Sequence, residues 1–165
     1  MRNDEREQPA SEDLRIVYLA DHPEALPALE KLLQTEWADY YGIGGPGNAG
    51  NDLRAYSNRD HLPVGLLACI GAQPCGMAAL KEASLTTHRH FTPWIGGGIV
   101  LPRFRRQGIG TRLLLAVEEL AQGFGFKEIY AATSTANSLL VRNGWCLLDL
   151  ASYNGEDVSI YKKML

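Results

Sequence analysis

The chain has 165 residues, of which 45% are hydrophobic and 21% charged, and its formal net charge is −3 at pH 7. This composition is typical of a globular protein, and it predicts a single domain over residues 14–165 behind a flexible, charged tail at residues 1–13. The sequence has no apolar run of membrane-spanning length, and its mild acidity disfavours nucleic acid as a partner.

The cysteines indicate the redox compartment. They are odd in number, and residues 1–13 resemble neither a signal peptide nor a transit segment, so we expect reduced thiols and a cytoplasmic protein. Cys69 and Cys75 are close enough in sequence to face each other across a hairpin, but burial as small hydrophobic side chains is the favoured interpretation. No cysteine–histidine cluster has metal-ligand spacing, so we predict no metal.

The N-terminal third predicts one strand and two helices. Alternation over residues 14–20 favours a strand, and apolar side chains at three- and four-residue spacing favour a helix over residues 23–41. Residues 42–50 contain five glycines and a proline. This composition predicts a mobile loop inside the domain, and a short helix is expected at residues 51–58.

The middle of the chain predicts a hairpin and a glycine-rich strand. Residues 64–70 and 75–81 are apolar runs on either side of a turn, and residues 82–93 are polar enough to form a loop. The strand expected at residues 94–101 contains three consecutive glycines, Gly96 to Gly98. Glycines in a strand mark a bulge or the close approach of a ligand.

The most informative segment is PRFRRQGIGTRLLL, at residues 102–115. Three arginines, Arg103, Arg105 and Arg106, precede Gly108 and Gly110, and an apolar helix pattern follows. Glycine lets the backbone approach a ligand without an intervening Cβ, and the amides at the start of a helix bind anions. Arginine side chains supply full charges for phosphate oxygens. The segment therefore predicts a diphosphate site.

Two known diphosphate loops do not match this segment. A Walker-type loop ends in Gly-Lys-Ser/Thr, whereas this one continues with Thr111 and Arg112 after its last glycine. A dinucleotide fingerprint needs a third glycine where Leu113 stands. Its ribose-binding acid should also end the following strand, whereas Glu128 begins one.

A third loop does match. The pattern Arg105-x-x-Gly108-x-Gly110, preceded by a strand and followed by a helix, resembles the acetyl-CoA loop of the GNAT superfamily of N-acetyltransferases. A strand at residues 127–133 and a short helix at residues 136–143, closed by Gly144-Trp145, are also similar to that family. The glycine there suits a helix C-terminus.

The resemblance covers the last two-thirds of the chain and implies a fold. This is a mixed α/β GNAT fold, with a central sheet of about seven strands flanked by about four helices. In the family, the fourth and fifth strands splay apart and the pantetheine arm of acetyl-CoA lies in the gap.

The resemblance also implies the acetyl-CoA contacts. Backbone groups of the glycine-rich strand would hold the pantetheine and the acetyl carbonyl, and the loop would hold the pyrophosphate. An asparagine at the start of the short helix would bond the pantetheine amides, although a capping or surface role is an equal alternative. The implied cofactor-binding residues are Gly98, Ile99, Val100, Arg105, Arg106, Gln107, Gly108, Ile109, Gly110, Thr111 and Asn137.

Two catalytic groups common in the family are absent. Leu140 stands where relatives have the tyrosine that protonates the leaving thiolate, and the strand before the loop offers no glutamate base. Amine acetylation still requires proton transfers. Ser138 and Tyr153 are the predicted substitute acids. The base is predicted to be a water held by one of three residues, namely Glu36, Asp39 or His88.

The acceptor is predicted to be a primary amine, either on a small molecule or at a peptide N-terminus. Trp37, Tyr40 and Tyr41 precede the glycine-rich loop, where relatives cover their substrate, so they are predicted to line the acceptor pocket. Packing is the alternative, and it is favoured for Trp37. A homodimer is also expected. The second hypothesis for function is a GNAT-fold module that binds acyl-CoA with little turnover, motivated by Leu140 and the missing carboxylate.

Overall fold

The computed structural model describes residues 13–153 and 155–165. The tail predicted at residues 1–13 therefore lies, except for Asp13, outside the described residues, and so does Asn154. The strands are β1 (Leu14–Tyr18), β2 (Val64–Ile70), β3 (Gln73–Lys81), β4 (Trp94–Val100), β5 (Glu128–Thr133), β6 (Cys146–Tyr153) and β7 (Glu156–Met164). The α-helices are α1 (Leu26–Glu36), α2 (Ala38–Tyr41), α3 (Ala49–Tyr56), α4 (Ile109–Gly123) and α5 (Asn137–Arg142).

The seven strands of the described part of the chain form one sheet in the order β1-β2-β3-β4-β5-β7-β6. Neighbouring strands are antiparallel except β4 and β5, which are parallel. A parallel pair needs a crossover connection, and α4 supplies it. The predicted mixed α/β fold with seven strands is confirmed.

The helix predicted at residues 23–41 is divided, so the described residues contain five α-helices rather than four. Residues Pro23–Ala25 form a 3₁₀ turn, and α1 ends at Glu36 because Trp37 leaves the helical conformation, with φ −121° and ψ 53°. Trp37 packs instead against the core beside α1. The chain resumes as the short α2, which carries Tyr40 and Tyr41.

Two layers of side chains cover the sheet. On one face, α4 and α5 pack over β2, β3, β5 and β7, with the fully buried Val117, Ala121 and Ile129 at the centre. On the opposite face, α1 and α3 cover the β1–β4 half, and Phe91 and Leu85 cover the rest. The central strands β2 and β3 are apolar runs because they are buried on both faces.

The two hairpin cysteines are buried, as predicted. Cys69 belongs to the core under α1 and α3, whereas Cys75 belongs to the core under α4, so the two side chains lie on opposite faces of the sheet. Cys69, Cys75 and the exposed Cys146 are all free thiols. The described helices are each too short or too polar to cross a membrane.

The glycine-rich strand β4 contains the predicted bulge. Met77 pairs with Ile99 and Ala79 pairs with Gly96, so two residues of β4 lie opposite one residue of β3. Gly97, inside the bulge, has φ +59°, a left-handed conformation that favours glycine. The bulge redirects β4 at the point where it leaves its other neighbour.

Candidate active site

The candidate site begins where β4 and β5 separate. The two strands are paired only at Trp94–Tyr130 and Ile95–Ala131, although β4 continues to Val100. We call the opening beyond these pairs the β4–β5 gap. Among the described residues, the β4 backbone groups that face the gap have no strand partner. Apart from the Val100 carbonyl, which accepts from Arg105, they are available to another molecule.

The loop between β4 and α4 has the geometry of an anion site. Arg106 and Gly108 both have left-handed backbones, with φ 63° and 79°. Gly108 is the N-cap of α4, and the first helical hydrogen bond runs from the amide of Arg112 to the Gly108 carbonyl. The amides of Ile109, Gly110 and Thr111 precede that bond and therefore have no acceptor within the helix. Such amides, with the positive end of the helix dipole, attract phosphate.

Two glycines at this end of the molecule are not required by the protein itself. A Cβ at Gly98 would meet no atom within 4 Å, and a Cβ at Gly110 would lie 3.6 Å from Leu139 Cδ2, which is ordinary contact. Neither residue has a positive φ. Their missing side chains leave room for a molecule that passes close to the backbone, as a bound diphosphate and pantetheine would require.

The arginines of the loop have different partners. Arg105 donates from Nε to the Val100 carbonyl at 2.9 Å and from a terminal nitrogen to Glu36 Oε2 at 3.0 Å. Arg112 contacts the Leu14 carbonyl at 3.4 Å, at the far side of α4. Arg106 and Gln107 are exposed at the loop. Arg105 therefore joins the loop to α1, and Glu36 is occupied by that ion pair.

The three residues of α5 considered in the sequence analysis have different surroundings. Asn137 accepts a 2.7 Å hydrogen bond from the Tyr161 hydroxyl, and Ser138 is exposed. Leu140 stands at the position predicted for a proton-donating tyrosine. It is 3% exposed and packs in the core under α4 with Trp145. A leucine suits this position because the inner face of α5 rests on apolar side chains.

A cluster of tyrosines lies on the other side of the gap. We call Tyr40, Tyr41, Tyr56, Tyr153 and Asp52 the tyrosine cluster. The rings of Tyr40 and Tyr41 meet edge to face with centroids 4.7 Å apart, and the Tyr41 hydroxyl donates to Asp52 Oδ2 at 2.6 Å. Tyr56 approaches β4 at the bulge, where its Oη would lie 3.9 Å from a Cβ at Gly97. The structure thus brings predicted residues from α2 and β6 to one place.

The surroundings of Tyr40, Tyr41 and Tyr56 favour the protonated phenol. Burial raises the pKa of Tyr41, and it raises the pKa of Tyr56 to about 12. Asp52 adds to both shifts. Burial, with Tyr153 and Asp52 nearby, also raises the pKa of Tyr40. The hydroxyl groups therefore remain neutral donors at physiological pH.

The glycine-rich loop holds this cluster in place. The amide of Gly47 donates to the Tyr40 carbonyl at 2.8 Å, and a Cβ at that position would come within 2.3 Å of the Tyr40 ring. Asn48 caps α3 by accepting from the Asn51 amide at 2.9 Å. The loop therefore links α2 to α3, the two helices that carry most of the cluster.

Lys81 belongs to the site but was not predicted from the sequence. It is half-buried at the end of β3, and its stem covers Gly96, where a Cβ would lie 2.7 Å from Lys81 Cδ. Burial lowers the pKa of Lys81, and Asp52 opposes that shift. The sequence signal for Lys81 is its position at the end of an otherwise apolar strand.

The other predicted site residues have separate positions. His88 Nε2 lies 2.9 Å from Asp149 Oδ2, and Thr87 contacts the other ring nitrogen at 2.7 Å. Asp39 is exposed on α2. Trp37 packs against the core, which was the favoured interpretation of this residue. The described residues contain no group of three or more histidine, cysteine or acidic side chains that could hold a metal ion.

The sequence profile described as Acetyltransferase (GNAT) family matches residues 26–142, which is more than half of the chain. The chain belongs to the GNAT acetyltransferase family, and the fold and loop predicted from the resemblance agree with this. No curated protein matches the chain in sequence.

Solved structures show the same fold at low sequence identity. An aminoglycoside 6'-N-acetyltransferase complexed with coenzyme A has a TM-score of 0.73 and 12% identity, with 91% of this chain and 96% of that chain covered. YncA from Salmonella typhimurium, solved with its cofactor acetyl-CoA, has a TM-score of 0.67 and 16% identity, with 92% and 93% covered. Ard1 from Thermoplasma volcanium has a TM-score of 0.70 and 15% identity, with 92% and 97% covered.

Proposed function

We propose that this acetyltransferase transfers an acetyl group from acetyl-CoA directly to a primary amine, on a small molecule or at a peptide N-terminus, within a ternary complex. The observation that carries the proposal is the meeting of two different surfaces at the β4–β5 gap. One is the anion site at the start of α4, and the other is the tyrosine cluster.

The donor side fits the groups of acetyl-CoA. The amides of Ile109, Gly110 and Thr111 would bind the diphosphate, together with Arg106 and the backbone of the loop. Gly98 and the following β4 residues, Ile99 and Val100, would bind the pantetheine and the acetyl carbonyl through their backbone groups, except the Val100 carbonyl, which accepts from Arg105. Acetyl-CoA supplies an acetyl group activated as a thioester.

The acceptor side fits a protonated amine before reaction. Asp52 provides a negative charge, and the tyrosine rings provide faces that attract cations. Tyr153 is exposed and Tyr40 is partly exposed, so they would guide the amine toward the bulge of β4. The named activity of the aminoglycoside acetyltransferase relatives is consistent with a small cationic acceptor.

The backbone at the bulge would stabilise the transfer. An amide that points at the acetyl oxygen gains strength as negative charge develops there, and it is already fixed by the fold. The bulge provides such fixed donors in β4, and the tyrosine cluster adds neutral hydroxyl groups. Tyr153 stays the predicted proton donor to the sulfur, with Ser138 as the second candidate.

The test is a thiol-release assay with acetyl-CoA across polyamines, aminoglycosides, amino acids and peptides. We expect at least one amine to accelerate thiol release and to gain 42 mass units, about the mass of an acetyl group that replaces one hydrogen. A control without acceptor measures hydrolysis. Binding of acetyl-CoA with no accelerated release across the panel would favour the binding-module hypothesis instead.

The expected homodimer would involve the edge strand β6. Leu147 and Leu150 are 59% and 69% exposed on this strand, and its outer backbone edge is unpaired in the described sheet. A second copy could add its own β6 antiparallel to this edge. Sedimentation equilibrium of the protein and of Leu150→Lys tests this proposal. A monomer at all concentrations in the unsubstituted protein would contradict it.

A further inference from the structure

Lys81 is placed where the β4–β5 gap opens. It pairs with Trp94 across β3 and β4, and Trp94 in turn pairs with Tyr130 of β5, one residue before the two strands separate. Side chains alternate along a strand, so Lys81 shares the face of Ala79 and Met77, which is the face of the tyrosine cluster. The amine of Lys81 is therefore on the acceptor side of the gap.

The stem of Lys81 occupies the space that a β4 side chain would otherwise fill. A Cβ at Gly96 would lie 2.7 Å from Cδ, 3.7 Å from Cγ and 3.8 Å from Cε of Lys81. The adjacent strand thus supplies a titratable side chain over a position where β4 itself has none. The glycine explains how a lysine on β3 extends across β4.

Few charged groups lie near the amine of Lys81. No hydrogen bond or ion pair of its amine is found among the described residues, in contrast to Lys162 and Lys163, which contact Glu128 and Glu118. The facing residues of β4, Trp94 and Gly96, do not titrate, and the phenols of the cluster are neutral at physiological pH. From α3, Asp52 is the acidic group that acts on the amine, and burial outweighs it.

We propose that Lys81 is the base of the reaction, with Nζ accepting the proton that the acceptor nitrogen loses as it attacks the acetyl group. The N–C bond forms and the C–S bond breaks. The acceptor ammonium first loses one proton to solvent, so that a neutral amine attacks. The next proton passes from the acceptor nitrogen to the neutral Nζ, and the sulfur leaves as a thiolate that takes a proton from the predicted donor, Tyr153 or Ser138. Lys81 then returns its proton to solvent. This inference rests on the proposed function.

Two features favour a base over an electrostatic anchor for an anionic substrate. A half-buried amine without an acid partner loses its charge more readily than an exposed lysine, which is what a base near neutral pH requires. The β4 residues from Trp94 to Gly98 also contain no carboxylate or imidazole that would serve in its place.

The first experiment measures the titration of Lys81 directly. The unsubstituted protein without acetyl-CoA is labelled with trace acetic anhydride between pH 6 and pH 11, and each lysine is quantified by peptide mass spectrometry. The exposed Lys31 of α1 is the internal control. We expect the labelling of Lys81 to rise at a lower pH than that of Lys31, because only the neutral amine reacts. An inflection at or above that of Lys31 would overturn the proposal.

The second experiment separates a base from a positive charge. Lys81→Met keeps most of the stem, Lys81→Arg keeps the charge but is not a base at working pH, and Lys31→Met is the matched control. With the best acceptor, we expect both Lys81 variants to lower kcat/KM by about 10²- to 10⁴-fold. The dissociation constant for acetyl-CoA should stay unchanged, which also shows that the variants fold.

The pH profile completes the test. A base must be neutral, so kcat/KM of the unsubstituted protein should rise with pH and level off above the pKa of Lys81, and this limb should disappear in Lys81→Met. Retained activity in Lys81→Arg would assign the residue to charge recognition instead. If Lys81 is labelled at the same pH as Lys31 while some amine is acetylated, this inference alone is refuted. If no amine of the panel accelerates thiol release, the proposed function is refuted.

Discussion

Replacement of Gly110 by alanine should change stability and cofactor binding in opposite directions. Gly110 is the second residue of α4, its φ is not positive, and a Cβ would contact only Leu139 Cδ2 at the ordinary distance of 3.6 Å. Alanine is favoured over glycine in a helix by up to about 1 kcal/mol. Gly110→Ala should therefore raise the unfolding temperature by up to roughly 4 °C in a protein of this size.

The same methyl group should weaken the binding of acetyl-CoA. It would stand beside the amides at the start of α4, where the diphosphate is proposed to bind. A hydrogen bond to a charged group contributes about 1.5–3 kcal/mol. Loss of one such bond would raise the Kd about 10- to 150-fold. A side chain larger than alanine should abolish binding.

Gly123 offers a matched control at the other end of the same helix. It is also without a positive φ, and a Cβ there would meet no atom within 4 Å. The two glycines are separated by roughly 20 Å along α4. Gly123→Ala should stabilise the fold without affecting binding, as measured by calorimetric titration with acetyl-CoA and by thermal unfolding. Equal affinity in Gly110→Ala and Gly123→Ala would refute the assigned diphosphate site.

Two further substitutions test the rest of the site. Leu140→Tyr should reduce the free energy of unfolding, measured with urea, by about 1–3 kcal/mol, because the larger ring overpacks the core under α4. Unchanged stability with faster turnover would instead place this side chain beside the sulfur. Asp52→Asn should raise KM for the amine about 10-fold or more with KM for acetyl-CoA unchanged, since a contact with a charged group is worth about 1.5 kcal/mol or more. An unchanged KM for the amine would remove Asp52 from the acceptor side.

The conformation of the loop that is proposed to bind acetyl-CoA could be predicted because the loop is one continuous segment. A helix begins at the glycine pair of the loop, as the sequence pattern predicted, and the glycine-rich strand β4 contains the predicted bulge. Local backbone requirements of this kind are visible in the residue types themselves. The same reasoning explains why the hairpin of β2 and β3 was predicted close to its observed bounds.

The acceptor side was predictable only in part because it depends on contacts between distant segments. Tyr40 and Tyr41 were proposed as acceptor residues from their place before the glycine-rich loop, whereas Tyr56, Asp52 and Lys81 enter the proposal only through the structure. Lys81 reaches the site through the register of β3 with β4, and Tyr56 through the packing of α3 on the bulge. Neither the register nor the division of the first helix at Trp37 follows from periodicity.

The short β4–β5 ladder also affects how the two halves of the sheet are held together. In the described part of the chain, two residue pairs join the β1–β4 half to the half formed by β5, β7 and β6. Side chains therefore supply most of the contact at this seam, with the core under α4 on one face and Trp94 packed beside Tyr130 on the other. A molecule bound in the gap would add contacts to both halves, and part of its binding energy would be used to stiffen the sheet.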